Sequence, residues 1–237
     1  MGKDITVSGK DGAFGGYLAM PSSGLFKSSG GPAVVVIQEI FGINKWIRGV
    51  CDMMAEEGYI ALAPDLFWRI APGVQLDPSV PEEKKQGFAL YQKYDFEKAF
   101  QDIQSTIDYL RTAPGATGKV GNMGFCAGGF LSYLCAARSD TDASASYYGG
   151  GIASKLDLMG RIRKPTLLHL AAVDDFVPAE AQAQIKDAAA TNPAVTVHVY
   201  PGVHHGFCRA IDASVYDAAA CKLAHGRTLE LFKKHLA

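Results

Sequence analysis

The chain has 237 residues, 48% hydrophobic and 20% charged, an ordinary balance for a soluble globular protein. A formal net charge of -1 without a basic stripe argues against nucleic-acid binding, and no apolar run is long enough to cross a bilayer. The length fits one α/β domain over residues 1–237, and no linker-like stretch divides it.

The opening Met1-Gly2-Lys3-Asp4 lacks the apolar core of a signal peptide. Ile5 to Ser8 and Phe14 to Met20 read as an antiparallel pair around an Asp11-Gly12 turn. Ala33 to Ile37 is a β-branched run suited to a central strand buried on both faces. A helix from about Asn44 to Glu57, stopped by Gly58, leads to a short strand, Tyr59 to Ala63. Asp65 to Tyr94, with Pro72, Pro78 and Pro81 around Gly73, reads as one long irregular segment of the kind that sets specificity.

Asp95 can cap the next helix, in which Phe96, Phe100, Ile103, Ile107 and Leu110 share a face. A strand from Lys119 to Phe125 then runs into a helix from Cys126 to Arg138. Strands over 143–149, 166–171 and 195–200 follow, with helices over 179–190 and 214–236. Strands alternating with helices predict a mostly parallel central sheet covered by helices on both faces, with ligands at the strands' carboxyl ends.

The join at Gly124-Phe125-Cys126-Ala127-Gly128-Gly129 has the G-x-C-x-G form of a nucleophile elbow, a strained strand-to-helix turn that exposes one reactive side chain. Glycine two residues either side of the centre removes clashes with the neighbouring chain. The helix that follows points backbone N–H groups at charge developing beside the nucleophile. Its central residue is cysteine, whose thiolate is the reactive form and so needs a base or a nearby cation.

Further reactive residues follow later strands. Asp174 and Asp175 come after the strand ending near Ala171, and His204 and His205 after the one ending near Tyr200. The order nucleophile, acid, histidine is that of an α/β-hydrolase fold. At this level either aspartate and either histidine can serve. Glu39 follows the buried strand, where this fold supplies an oxyanion-hole N–H. Flanked by Ile40 and Phe41, it is expected to be buried and partnered, by the thiol or by an arginine. Arg69 and Arg209 present planar forks that would select an anionic substrate.

The five cysteines, Cys51, Cys126, Cys135, Cys208 and Cys221, are odd in number and carry no C-x-x-C spacing. Reduced thiols in a cytoplasm-like compartment are expected, and a dithiol redox centre or cysteine-rich zinc site is poorly supported.

Together these segments resemble the dienelactone hydrolases (carboxymethylenebutenolidases). The resemblance rests on Gln38-Glu39-Ile40-Phe41-Gly42, Pro64-Asp65-Leu66-Phe67 with Arg69, Ala71-Pro72-Gly73 and the elbow. Tyr147-Tyr148-Gly149, Asp174 with Phe176-Val177-Pro178, and His205-Gly206-Phe207 with Arg209 extend it over essentially the whole chain. It implies a Cys126-Asp174-His205 triad, with Glu39 contacting the resting thiol and sharing in its activation. It further implies an oxyanion hole from the N–H groups of Ile40 and Ala127. Arg69 and Arg209 would bind the substrate carboxylate, and Phe41 and Tyr148 would be pocket walls. The pattern departs at Gly206, where serine is familiar, and in the doubled histidine at 204.

The activity implied is opening of an anionic enol lactone through a thioester acyl-enzyme, with no metal or organic cofactor. The partner would be a small anionic lactone or ester, without nucleic acid or membrane, in a monomer or weak homodimer. The alternatives are a broader carboxylesterase or thioesterase with the same triad, and a non-catalytic thiol redox sensor.

Overall fold

The fold is described from a computed structural model covering residues 2–22, 24 and 30–237. Its strands are β1 (Lys3–Gly9), β2 (Gly12–Ala19), β3 (Gly31–Ile37), β4 (Ile60–Pro64), β5 (Ala116–Phe125), β6 (Ala143–Tyr147), β7 (Thr166–Val173) and β8 (Val195–His204). They form one sheet in the order β1-β2-β4-β3-β5-β6-β7-β8. Among the described strands only the pairings made by β2 are antiparallel; the rest are parallel. This is the mostly parallel α/β sheet expected.

The helices are α1 (Lys45–Glu56), α2 (Pro81–Tyr91), α3 (Phe96–Arg111), α4 (Ala127–Arg138), α5 (Ala179–Ala190) and α6 (Ala218–Leu236). Apolar faces of α1 and α6 cover one side of the sheet. Those of α3, α4 and α5 cover the other. The central strand β3 is almost wholly buried, as its continuous apolar run requires. Asn44 opens α1 by accepting from the Ile47 N–H, and Asp95 opens α3 by accepting from Glu97 and Lys98. Each such cap stabilises its helix by about 1 kcal/mol.

Two elements depart from expectation. The irregular 65–94 segment contains α2, and a 3₁₀ segment, Ile152–Arg161, follows β6. Pro81 at the first turn, with Glu82 and Glu83, is a helix-start signal. The periodicity that would have marked the helix is weak, because only Gly87 and Leu90 are buried. The stretch before α2 is held by hydrogen bonds: Asp65 accepts from the Phe67 and Gly73 N–H groups, and Leu76 N–H donates to the Phe41 carbonyl.

Gly87 is where α2 meets the loop after β3. A Cβ there would stand 2.9 Å from the Phe41 ring and 3.0 Å from the Ile40 carbonyl oxygen. Gly87→Ala is therefore expected to cost about 1–2 kcal/mol despite its better helix propensity, lowering Tm by roughly 2–8 °C in a thermal melt. An unchanged or higher Tm would show that α2 does not pack so closely on that loop.

Candidate active site

The carboxyl ends of β3, β5, β7 and β8 converge on a cavity of about 460 Å³. Cys126 lies on its wall at the join of β5 and α4, with φ 55° and ψ -115°, a strained conformation for a residue with a side chain. Its N–H donates to the Tyr147 carbonyl at 3.0 Å and its carbonyl accepts from Phe130. The flanking glycines are sterically required. A Cβ at Gly124 would stand 2.0 Å from the Gly128 carbonyl oxygen, and one at Gly128 would stand 2.4 Å from those of Ile37 and Gln38.

His205 faces the same cavity. Its Nδ1 lies 2.9 and 3.1 Å from the two carboxylate oxygens of Asp174. Asp174 is itself fixed by the Phe176 and Val177 N–H groups at 2.8 and 3.1 Å. The opposite ring nitrogen, Nε2, is buried and has no hydrogen-bond partner among the described residues. Burial alone would lower the His205 pKa; the neighbouring Cys126 and Asp174 side chains outweigh it and push it up to about 10. The other candidates, His204 and Asp175, also line the cavity, but both are solvent-exposed.

Ile40 and Ala127 stand at the wall beside Cys126. Ala127 opens α4, so its N–H has no acceptor within the helix. The loop that carries Ile40 is held by Gln38, whose side chain accepts from the Leu66 N–H and donates to the Glu39 carbonyl.

Glu39 is 2% exposed and sits on Arg209 rather than on the thiol. The guanidinium donates to its two carboxylate oxygens at 2.6 and 3.1 Å, and a third contact runs to Asp212 at 3.3 Å. This fork-on-carboxylate geometry holds the Arg209 guanidinium over Phe41, 5.2 Å from the ring centre. The departure at Gly206 has a local cause. Gly206 takes φ 85°, and a Cβ there would stand 2.9 Å from the Arg209 guanidinium, so glycine leaves room for that arginine.

Phe41 and Arg209 line the cavity as expected, but two other residues do not. Arg69 pairs with Asp102 and, at 3.0 Å, with Asp11, and it stacks on Trp68. Tyr148 is fully buried and backs the His205 ring at 5.0 Å between ring centres. In their places at the mouth stand Phe176, from the motif that also carries Asp174, and three residues of α2 that the sequence does not single out, Lys84, Phe88 and Tyr91. Their signal was the spacing 84, 88, 91, one face of a helix, unreadable while the helix itself was unrecognised.

A thiol and an imidazole aligned by a carboxylate at one cavity can carry out acyl transfer. A family model described as the dienelactone hydrolase family matches residues 14–236. A protein of Azospirillum brasilense, provisionally named a carboxymethylenebutenolidase, is 43% identical over 98% of this chain and 99% of its own length. Carboxymethylenebutenolidase 1 of Cupriavidus pinatubonensis is 38% identical over 97% of this chain and 95% of its own. A crystal structure from Klebsiella pneumoniae, provisionally described as a dienelactone hydrolase, superposes with a TM-score of 0.85. It has 25% identity and covers 99% of both chains.

Proposed function

The chain belongs to the dienelactone hydrolase family of ester-hydrolysing enzymes, and from that premise we propose that it opens an anionic enol lactone by nucleophilic attack from Cys126. The observation that carries this reading is the buried, unpaired Nε2 of His205 facing the Cys126 cavity while Asp174 holds Nδ1.

The raised pKa of His205 suits it to take the Cys126 proton and hold it as the imidazolium. The thiolate attacks the lactone carbonyl, and the Ile40 and Ala127 N–H groups hold the oxyanion. The ring C–O bond breaks, the enolate takes the His205 proton, and a thioester remains on Cys126. Acylation removes the sulfur charge that helped to raise the His205 pKa, so the neutral imidazole becomes a base. It takes a proton from water as the oxygen attacks the thioester, and breaking the C–S bond restores the pair. An enol leaving group suits a thiol nucleophile because the enolate departs with little help, whereas simple alkyl esters would react slowly.

The substrate carboxylate is bound by Arg209 and Lys84, which line the cavity; Arg69 stands outside its lining, paired with Asp102 and Asp11. Glu39 acts through Arg209, whose position it sets. Exposed Phe88 and Phe176, stacked at 6.5 Å across the mouth, favour a second reading: a carboxylesterase of broader acceptance with the same catalytic groups.

A substrate panel separates the two. Lys84→Ala is expected to raise KM for an anionic dienelactone about five- to tenfold and to leave that for neutral p-nitrophenyl acetate unchanged. Equal KM values for wild type and variant on both substrates would remove Lys84 from carboxylate binding. Faster turnover of neutral than anionic substrates would favour the esterase reading.

A further inference from the structure

Behind the cavity, on the far side of the loop that carries His205 and Arg209, two more cysteines and a histidine meet. Cys208 follows β8 by four residues, while Cys221 and His225 stand one turn apart on α6. One ligating atom from each lies within 4.8 Å of the other two. Neither thiol is used by the hydrolytic chemistry. The spacing conceals the group, because its donors come from two elements and leave no C-x-x-C signature.

We propose that Cys208, Cys221 and His225 form a binding site for a zinc ion, distinct from the hydrolytic centre. Thiolate sulfur and imidazole nitrogen are the donors that borderline and soft cations prefer. Charge selects among these cations. Cys208 and Cys221 are buried, so a net charge there would be costly. Two thiolates, a neutral imidazole and a divalent ion sum to zero, whereas a monovalent ion would leave one negative charge. Tetrahedral zinc, with bonds of about 2.0–2.3 Å, holds such donors roughly 4 Å apart, close to the present separations, all within 4.8 Å. On binding, zinc displaces the two thiol protons to solvent.

The surroundings suit a held ligand set. Tyr147 Oη lies 3.0 Å from His225 Nδ1 and fixes the ring, and it contacts Thr228 Oγ1 at 2.6 Å. His225 is partly exposed and offers a way in from solvent. The site ties α6 to the His205–Arg209 loop, so occupancy would brace that loop from behind.

Cys126 and His205 can also take up metal, so the test is made in Cys126→Ala, reduced and freed of metal beforehand. Cobalt(II) replaces zinc as the spectroscopic probe. One equivalent is expected to bind and give thiolate-to-cobalt charge-transfer absorption that added zinc abolishes. Cys208→Ser and Cys221→Ser should each remove most of that absorption, and His225→Gln should weaken binding at least tenfold. Zinc at a hundredfold excess over its Kd should raise Tm by about 5 °C or more, and not in Cys221→Ser. Absence of thiolate–cobalt absorption from a folded protein overturns the proposal, as does absorption indifferent to the Cys208 and Cys221 substitutions. A Cys208–Cys221 disulfide in protein that binds no zinc when reduced also overturns it.

Discussion

Cys126→Ala is expected to lower kcat/KM for dienelactone by about ten-thousandfold or more, a loss of at least about 5.5 kcal/mol of transition-state stabilisation. The size follows from how the side chain is held. Cys126 is kept at φ 55° by the packing of Gly124 and Gly128 against backbone carbonyls. Its sulfur therefore reaches the cavity without the freedom to retreat, and among the described residues no other cysteine lines that wall. Alanine accepts the same strained backbone, so circular dichroism and Tm should barely change. Cys126→Ser should retain only a trace of activity, because a hydroxyl is far harder to ionise than a thiol beside the same imidazole. Substantial hydrolysis by a folded Cys126→Ala would transfer the nucleophile elsewhere.

The largest effect on stability is expected at the opposite wall. Arg209 and Glu39 are 5% and 2% exposed, and each satisfies the other's charge through two hydrogen bonds. Arg209→Met removes one partner and leaves a buried carboxylate without compensation, which costs about 3–5 kcal/mol. For a chain of this size that is a fall in Tm of roughly 6–20 °C. The attraction within the pair is largely offset by the desolvation of both charges. The double variant Glu39→Gln/Arg209→Met should therefore recover most of the stability while its KM for an anionic lactone remains raised. If the double variant were as unstable as the single one, packing of the guanidinium would explain the loss instead of an orphaned charge.

The parts of this architecture that depend on short-range pattern were readable from the chain. Gly124, Gly128 and Gly129 around Cys126 announce a turn whose neighbours leave no room for a Cβ, and the coordinates place carbonyl oxygens in those spaces. Asp174 and His205 follow β7 and β8 directly, so the parallel sheet alone delivers them to one rim. Choosing His205 over His204 needed more than the local pattern. The two are neighbours at the end of β8; the family resemblance selects His205, and the fold shows it meeting Asp174 while His204 stands in solvent.

Long-range pairing was the harder part. Arg69 looked free because its partner, Asp102, lies 33 residues away on α3, and a sequence carries no mark of such a pairing. Lys84 was overlooked for the complementary reason: α2 has no apolar stripe to reveal it as a helix, so nothing indicated which of its residues turn toward the cavity. Tyr148 stands next to a strand end that faces the site, yet a backbone with φ 39° turns its ring inward behind His205. Cys208 and Cys221 likewise come together only through the packing of α6 against the loop after β8.

The central claim is a covalent acyl group on one sulfur, and trapping it is the most direct measurement. The enzyme would be mixed with p-nitrophenyl pivalate, whose branched acyl group is hydrolysed slowly, then quenched in acid and mapped by peptide mass spectrometry. One pivaloyl group per chain is expected on the peptide containing Cys126, lost on treatment with neutral hydroxylamine as a thioester is. Continued turnover with that peptide unmodified, or the acyl group found on another residue, would contradict the account.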